Sequence, residues 1–181
     1  MTKQTQSRIV LVAIAVIFLG SFGVASVLRF SGWQPSGRTN YGELLAAPID
    51  ATQVTPVRAN GDAYGWRKQP HTWRIVVFAP AACAAACVDL GAALEKVWRT
   101  EGRHADRLHV LWFGDIPDAT PRFRNLFVMR ESPQLRERVL QAGTLDGLPV
   151  HLVDPNGFVV LRYRSGFDAS GLRRDLGRLI K

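Results

Sequence analysis

The sequence is short of most of the groups that carry familiar chemistry. No pair of carboxylates stands at an acid–base spacing, and no Ser-His-Asp set, phosphate-binding loop or zinc-ligand spacing occurs. Hydrolase and nucleotide-enzyme functions therefore have nothing to rest on. Asn60-Gly61 lacks the surroundings of a nucleotide site, and Asp50, Asp115 and Asp146 read as loop or capping residues. No basic run with interleaved aromatics is present, which argues against nucleic acid as a partner. No internal repeat is present, and cysteine is limited to Cys83 and Cys87.

At 181 residues and 20.0 kDa the chain has room for one domain with a proper core, plus attachments. Its formal charge is +8, and three of the positive residues, Lys3, Arg8 and Arg29, flank an apolar segment near the start. The excess that remains suits a solvated, arginine-rich surface, an anionic membrane surface or an acidic partner. Ile9 to Phe30 is apolar but for Ser21, Ser26, Arg29, Gly20 and Gly23. Roughly 20 such residues at about 1.5 Å each cross a hydrocarbon core of about 30 Å. Gly23-Val24-Ala25 offers the small residues of a cleavage site, yet apolar character continues through Val27, Leu28 and Phe30, which favours an uncleaved anchor. The flanking charges do not set the orientation. A short N-tail with the folded part C-terminal is the signal-anchor layout, and a thiol pair fits an oxidising compartment. The expected location is the inner membrane, single-pass, with the C-terminal domain periplasmic.

Ser31 to Asn40 is linker by composition, and Tyr41 to Pro48 is a segment that can pack against the domain. Val54 to Val57 and the residues after Asn60-Gly61-Asp62 read as a small hairpin. Thr72 to Ala79 is a buried strand, followed by Pro80-Ala81-Ala82-Cys83-Ala84-Ala85-Ala86-Cys87. A helix is expected over Val88 to Trp98, with Leu90, Leu94 and Val97 on one face. The two thiols thus lie at a strand–helix junction, where unpaired N–H groups and the helix dipole favour a thiolate. Arg107 to Phe113 is a second buried strand, with the composition expected of a parallel one. Phe123 to Met129 is ambiguous between strand and loop. A helix starts after Ser132-Pro133 and ends at Gly143. Leu148 to Val153 and Phe158 to Tyr163 form a hairpin about Asp154-Pro155-Asn156-Gly157. Asp168 to Lys181 is an amphipathic helix with Leu172, Leu176 and Leu179 inward and Arg173, Arg174, Arg178 and Lys181 outward.

This order resembles the thioredoxin fold: an α/β domain with a mixed central sheet and helices on both faces. Gly147-Leu148-Pro149-Val150 followed by Pro155-Asn156-Gly157 is similar to the Gly-Ile-Pro strand and Asn-Gly hairpin of thioredoxins. That resemblance implies a cis Leu148–Pro149 bond beside the cysteines. Cys-x-x-x-Cys and Leu152 to Gly157 resemble the Sco (SenC) proteins, membrane-anchored thioredoxin-fold proteins that help load copper into subunit II of cytochrome c oxidase. Asn40 to Leu45, the alanine-rich cysteine loop and the arginine-rich tail resemble small membrane proteins of the cytochrome oxidase assembly type. Two departures stand out. Gln141 to Asp146 lacks the copper-ligating histidine expected there, and the cysteine loop lacks the proline and acidic residue common in Sco.

The resulting layout is a cytoplasmic tail (1–8), a transmembrane anchor (9–30), a linker (31–44) and a thioredoxin-like periplasmic domain (45–181). Cys83 is expected as nucleophile and Cys87 as resolving thiol, with Pro149 beside them. On an ideal helix an i, i+4 pair has Cβ atoms about 5–6 Å apart, while a disulfide wants about 3.8 Å, so the loop must leave helical form for the pair to close. As metal ligands, two thiolates suit Cu(I), with His151 the one nearby third candidate, against a packed core histidine. His71 and His104 read as surface residues, His109 as a strand residue and Met129 as core. Three functions remain open: Cu(I) handling or reduction of the copper-site thiols of oxidase subunit II, with that subunit or another assembly factor as partner; general periplasmic thiol–disulfide exchange; and a non-catalytic assembly scaffold. Whether the chain is an enzyme stays open with them.

Overall fold

A computed structural model describes residues 3–32, 39–141, 143 and 146–180. The tail's first two residues, the middle of the linker (33–38), half of the Gln141–Asp146 stretch (142, 144 and 145) and Lys181 lie outside the described residues. The chain divides near residue 40 into two compact units. The first holds one helix, α1 (Lys3–Phe30). Its Thr5–Phe30 segment is long and apolar enough to cross a membrane.

The second unit runs β1 (Glu43–Asp50), β2 (Trp73–Phe78), α2 (Ala84–Thr100), β3 (Leu108–Phe113), β4 (Leu126–Met129), α3 (Pro133–Leu140), β5 (Val150–Val153), β6 (Phe158–Tyr163) and α4 (Ala169–Leu179). The six strands form one sheet in the order β1-β6-β5-β2-β3-β4. β2 pairs in parallel with β3, and β3 with β4; β5 pairs antiparallel with β2 and with β6, and β1 antiparallel with β6. This is the mixed sheet with helices on both faces that the sequence implied.

Strand alternation divides the core in two. Ile75, Val77, Val110, Trp112, Val150 and Leu152 face α2 and α4, meeting Cys87, Leu94, Leu172 and Leu176. Val76, Phe78, Leu111, Phe113 and Val153 face the other way, meeting Leu135 and Val139 of α3 together with Tyr64 and Trp66. β2 and β3 are central and buried on both faces, so their sequences are apolar runs rather than alternations.

Several elements differ from expectation. The linker does not extend to residue 44: Glu43 and Leu44 already pair with Arg162 and Leu161 in β1. Nothing in Glu43–Asp50 alternates, because β1 is an edge strand exposed along most of its length. α2 begins four residues before Val88, since Ala84-Ala85-Ala86 are strong helix formers. Phe123 to Met129 resolves into a loop and the short edge strand β4. The Asn60-Gly61 hairpin is present in reduced form, as the Val57–Ala63 bridge with Arg58 N donating to Asp62 O at 2.8 Å. The Leu148–Pro149 bond is trans, as are all peptide bonds among the described residues. Gly147, at φ 77°, makes the turn into β5, and the following tertiary amide is in its ordinarily preferred isomer.

Candidate thiol site

β2 ends at Phe78, and Ala79 N donates to Phe113 O at 2.9 Å, which ties the start of the cysteine loop to the end of β3. Gly114 is required at that junction: it holds φ 97°, and a Cβ there would sit 2.9 Å from the Ala79 carbonyl oxygen. The chain then turns through Pro80-Ala81-Ala82 and places Cys83 at the N-cap of α2, with φ −112° and ψ 54°. Cys83 has therefore left helical geometry, which is the bend an i, i+4 disulfide demands. Cys83 and Cys87 are joined, with Cα atoms 5.4 Å apart, inside the usual range for a disulfide.

The two sulfurs have different surroundings. Cys87 is fully buried, within the α2/α4 core, whereas Cys83 is only partly covered. An incoming thiolate or disulfide can reach Cys83 and not Cys87. No side chain caps the start of α2, and its first turn carries no acidic residue. The orphan N–H groups and the positive end of the helix dipole are thus left to stabilise negative charge on Cys83 sulfur when the pair is reduced.

Two hollows flank the disulfide. One lies between Pro80, Ala82, Cys83 and the β3–β4 loop at Asp115, Ile116 and Pro117. The other lies between Ala86, Asp89 and Leu90 of α2 and Leu148, Ser165 and Phe167. Both are largely apolar, and their only charged lining residues are Asp89 and Asp115. The β3–β4 loop can come this close because Gly91 has no side chain; a Cβ there would fall 2.2 Å from Thr120 Cγ2. Ile116 and Phe167 carry no signal of their own in the sequence, and Leu148 only as the middle residue of the Gly-Leu-Pro motif. The signal that finds the loop after β3 is the parallel β2–β3 pair, since sites in such sheets gather at the carboxyl ends of parallel strands.

His151 does not join the cysteines. It pairs with Val76, on the α3 face, and its ring lies 6.4 Å from that of Phe78. Leu148, Val150 and Leu152 hold the α2 face, so alternation turns His151 away from it. Neither of its ring nitrogens has a hydrogen-bond partner, and burial, with a smaller contribution from the Arg162 charge, lowers its pKa to about 4. Pro149 is buried at the entry to β5, and the residue of that run that reaches the α2 side is Leu148. Among the described residues no three His, Cys, Asp or Glu side chains gather where they could hold a metal.

His71 is exposed, and Met129 lies in the α3-face core. His109 belongs to a buried network the sequence did not announce. Its Nδ1 lies 2.7 Å from the Tyr64 hydroxyl, which also accepts from Arg74 Nε at 3.1 Å. The Arg74 guanidinium is fully buried, donating further to the carbonyls of Thr72, Asp154, Pro155 and Trp66. Burial, then the charges of Arg74 and Arg58, lowers the His109 pKa to about 4.

Residues 73–181 match the family model described as transmembrane-like, thioredoxin-like, C-terminal domain. No curated protein sequence matches the chain. Among solved structures, apo Sco1 from Thermus thermophilus aligns at 16% identity over 80% of this chain and 99% of its own, with TM-score 0.55. BsSco aligns at 15% over 81% and 98%, with TM-score 0.52. The bacterioferritin comigratory protein of Xanthomonas campestris aligns at 13% over 77% and 97%, with TM-score 0.54. At these identities the likeness is one of fold, and it spans both Sco proteins and a peroxide-reducing protein.

Proposed function

The chain belongs to the transmembrane-like, thioredoxin-like C-terminal domain family, and from that premise we propose that it is a membrane-anchored thiol–disulfide exchange protein acting on an exported client. The observation that carries this reading is the asymmetry of the pair: a reachable Cys83 at a helix N-terminus and a fully buried Cys87. In the reduced protein the Cys83 thiolate attacks a client disulfide, and one client sulfur leaves as thiolate. Cys87 then loses its proton and attacks Cys83 sulfur. The second client sulfur leaves, the client holds two thiols, and the protein holds the Cys83–Cys87 disulfide. A thiol donor outside the protein must reduce it again.

The client we favour is the copper-site cysteine pair of cytochrome c oxidase subunit II, or another assembly factor of that oxidase. BsSco is described as having a disulfide switch and as a member of the Sco family of cytochrome c oxidase assembly proteins. Cu(I) handling is the second reading, with copper as cargo. Two thiolates fit linear Cu(I), and nothing more is needed for it. The residues do not fit Cu(II), because His151 lies across the sheet from both sulfurs. In this reading the domain is periplasmic and α1 is an uncleaved anchor in the inner membrane. Residues 1–8 form the cytoplasmic tail.

The test is mixed-disulfide trapping in membranes. Cys87→Ala, which keeps Cys83, should accumulate a covalent client adduct that thiol reductant releases, and Cys83→Ser should accumulate none. Adducts absent from Cys87→Ala would overturn exchange. Tight Cu(I) binding by the reduced full-length protein, lost in Cys83→Ser, would then favour the cargo reading. Full rescue of oxidase assembly by Cys83→Ser would leave only a scaffold role.

A further inference from the structure

The residues that lead into β1, the outer face of α4 and the β6–α4 corner form one surface. Tyr41 lies flat on Gly171, where a Cβ would fall 2.9 Å from Tyr41 Cβ. Its N–H and that of Gly42 donate to the Asp175 carboxylate, each at 2.9 Å, and Tyr163 donates its hydroxyl to the same group at 2.8 Å. Arg174 donates to the Tyr41 hydroxyl. Leu44 pairs with Leu161 and so points to the same side of the sheet as α4. Yet Tyr41 remains 53% exposed, Leu44 45% and Leu179 36%.

Three exposed arginines stand on this side, Arg164, Arg174 and Arg178, and a fourth, Arg173, borders it on the α2 side of α4. The nearby carboxylates are already engaged. Asp175 is buried under the backbone of Tyr41 and Gly42, with Arg178 at 3.9 Å. Asp168 caps α4 through Ser170 N at 2.9 Å, and Glu43 is held by Arg162 at 2.7 and 2.9 Å. Lys96 and the half-buried Glu101 border Arg173 from α2. The surface thus combines an aromatic ring, two leucines and a net positive rim.

We propose that this surface rests on the anionic headgroup layer of the bilayer that α1 spans. Chain continuity is the first argument. α1 ends at Phe30 and the surface begins at Tyr41, so about ten residues, at most about 35 Å when extended, join them. Chemistry is the second. Arginine stems cover apolar surface while their guanidinium groups reach phosphate oxygens, and a tyrosine at the interface keeps its ring in the acyl boundary and its hydroxyl in water. The proposal rests on α1 spanning a bilayer and is independent of the thiol chemistry.

It also places the thiols. Glu43 pairs with Arg162, Arg162 with His151 and His151 with Val76, so the start of β1 and the end of β2 lie at the same end of the sheet. Three strand spacings of about 4.8 Å separate them. Docking the α4 surface brings Cys83 within a few nanometres of the headgroups.

The experiment is hydrogen exchange on the full chain reconstituted in vesicles of pure phosphatidylcholine and in vesicles that also contain phosphatidylglycerol. Residues 41–45 and 169–179 should exchange several-fold more slowly in the anionic vesicles. The difference should vanish in high salt and in the Arg174→Gln/Arg178→Gln double variant, with β3 equally protected throughout. Should that variant loosen β3, Arg164→Gln/Arg173→Gln, which leaves the Asp175 contacts intact, should reduce the difference instead. Equal exchange in both vesicles, or protection that survives salt and both variants, overturns the proposal. Free exchange of α1 in both vesicles overturns it too, by removing its premise, and leaves the trapping experiment untouched.

Discussion

The two faces of the sheet are built on different terms. The face under α2 and α4, which holds the disulfide, is packed almost wholly with apolar side chains, and its buried carboxylate, Asp175, sits at the edge. The face under α3 buries Arg74, His109 and His151 among Val76, Phe78 and Leu111. The reactive pair is thus set on a support with little to titrate, while the groups that respond to proton concentration lie on the other side. Redox reactivity and acid sensitivity are separated by the thickness of one sheet.

Acid should expose this separation most strongly. His109 and His151 have folded pKa values of about 4, against about 6.5 for an unperturbed histidine. Between these values the unfolded chain takes up protons that the folded chain refuses. Stability is therefore full above pH 6.5 and falls as pH drops toward 4, by on the order of 3 kcal/mol per histidine. Urea midpoints measured across that range should fall accordingly, and the slope should halve in a variant with one of the two histidines replaced.

Arg74→Met comes next. It strips donors from the Tyr64 hydroxyl and four carbonyls, at a cost of about 3–5 kcal/mol. Unfolding should shift while the equilibrium of the Cys83–Cys87 pair with glutathione stays as in the parent. A shifted redox equilibrium would mean the faces are coupled.

Gly91→Ala probes the disulfide face itself. The new methyl collides with Thr120 Cγ2, costing about 1–3 kcal/mol, and pushes the β3–β4 loop off the hollow beside Cys83. Thiol-exchange rates should change, and Thr120→Ser in the same chain should restore both rate and stability. The smallest effect belongs to His151→Leu. Replacing a buried imidazole that has no hydrogen-bond partner should leave stability unchanged or raise it by about 1 kcal/mol at neutral pH, with Cu(I) binding and thiol exchange unaltered.

What the sequence revealed followed burial. β2, β3, the β5–β6 hairpin and the thiol-bearing helix were legible because apolar runs, an Asn-Gly turn and helical periodicity are local signals. β1 was not, because an edge strand is defined by what β6 offers it and by the grip of Asp175 on Tyr41 and Gly42, more than 130 positions away. The face of His151 was misjudged for a related reason. Nearness in sequence to Pro149 suggests nearness to the cysteines, whereas Leu148, Val150 and Leu152 hold the α2 face and His151 turns to the other. The polar cluster around Arg74 left no trace in a run otherwise read as a hydrophobic strand.

The Asp175 clasp has a mechanical consequence. Thermal tugging from a membrane-held helix arrives at the domain through Asn40 and Tyr41. Before it can peel β1 from β6 it must break the hydrogen bonds that the Tyr41 and Gly42 N–H groups make to one carboxylate rooted in α4 and braced by Tyr163. The clasp acts as a strain relief, like the grommet where a cable enters its housing, and it keeps β1 seated on β6.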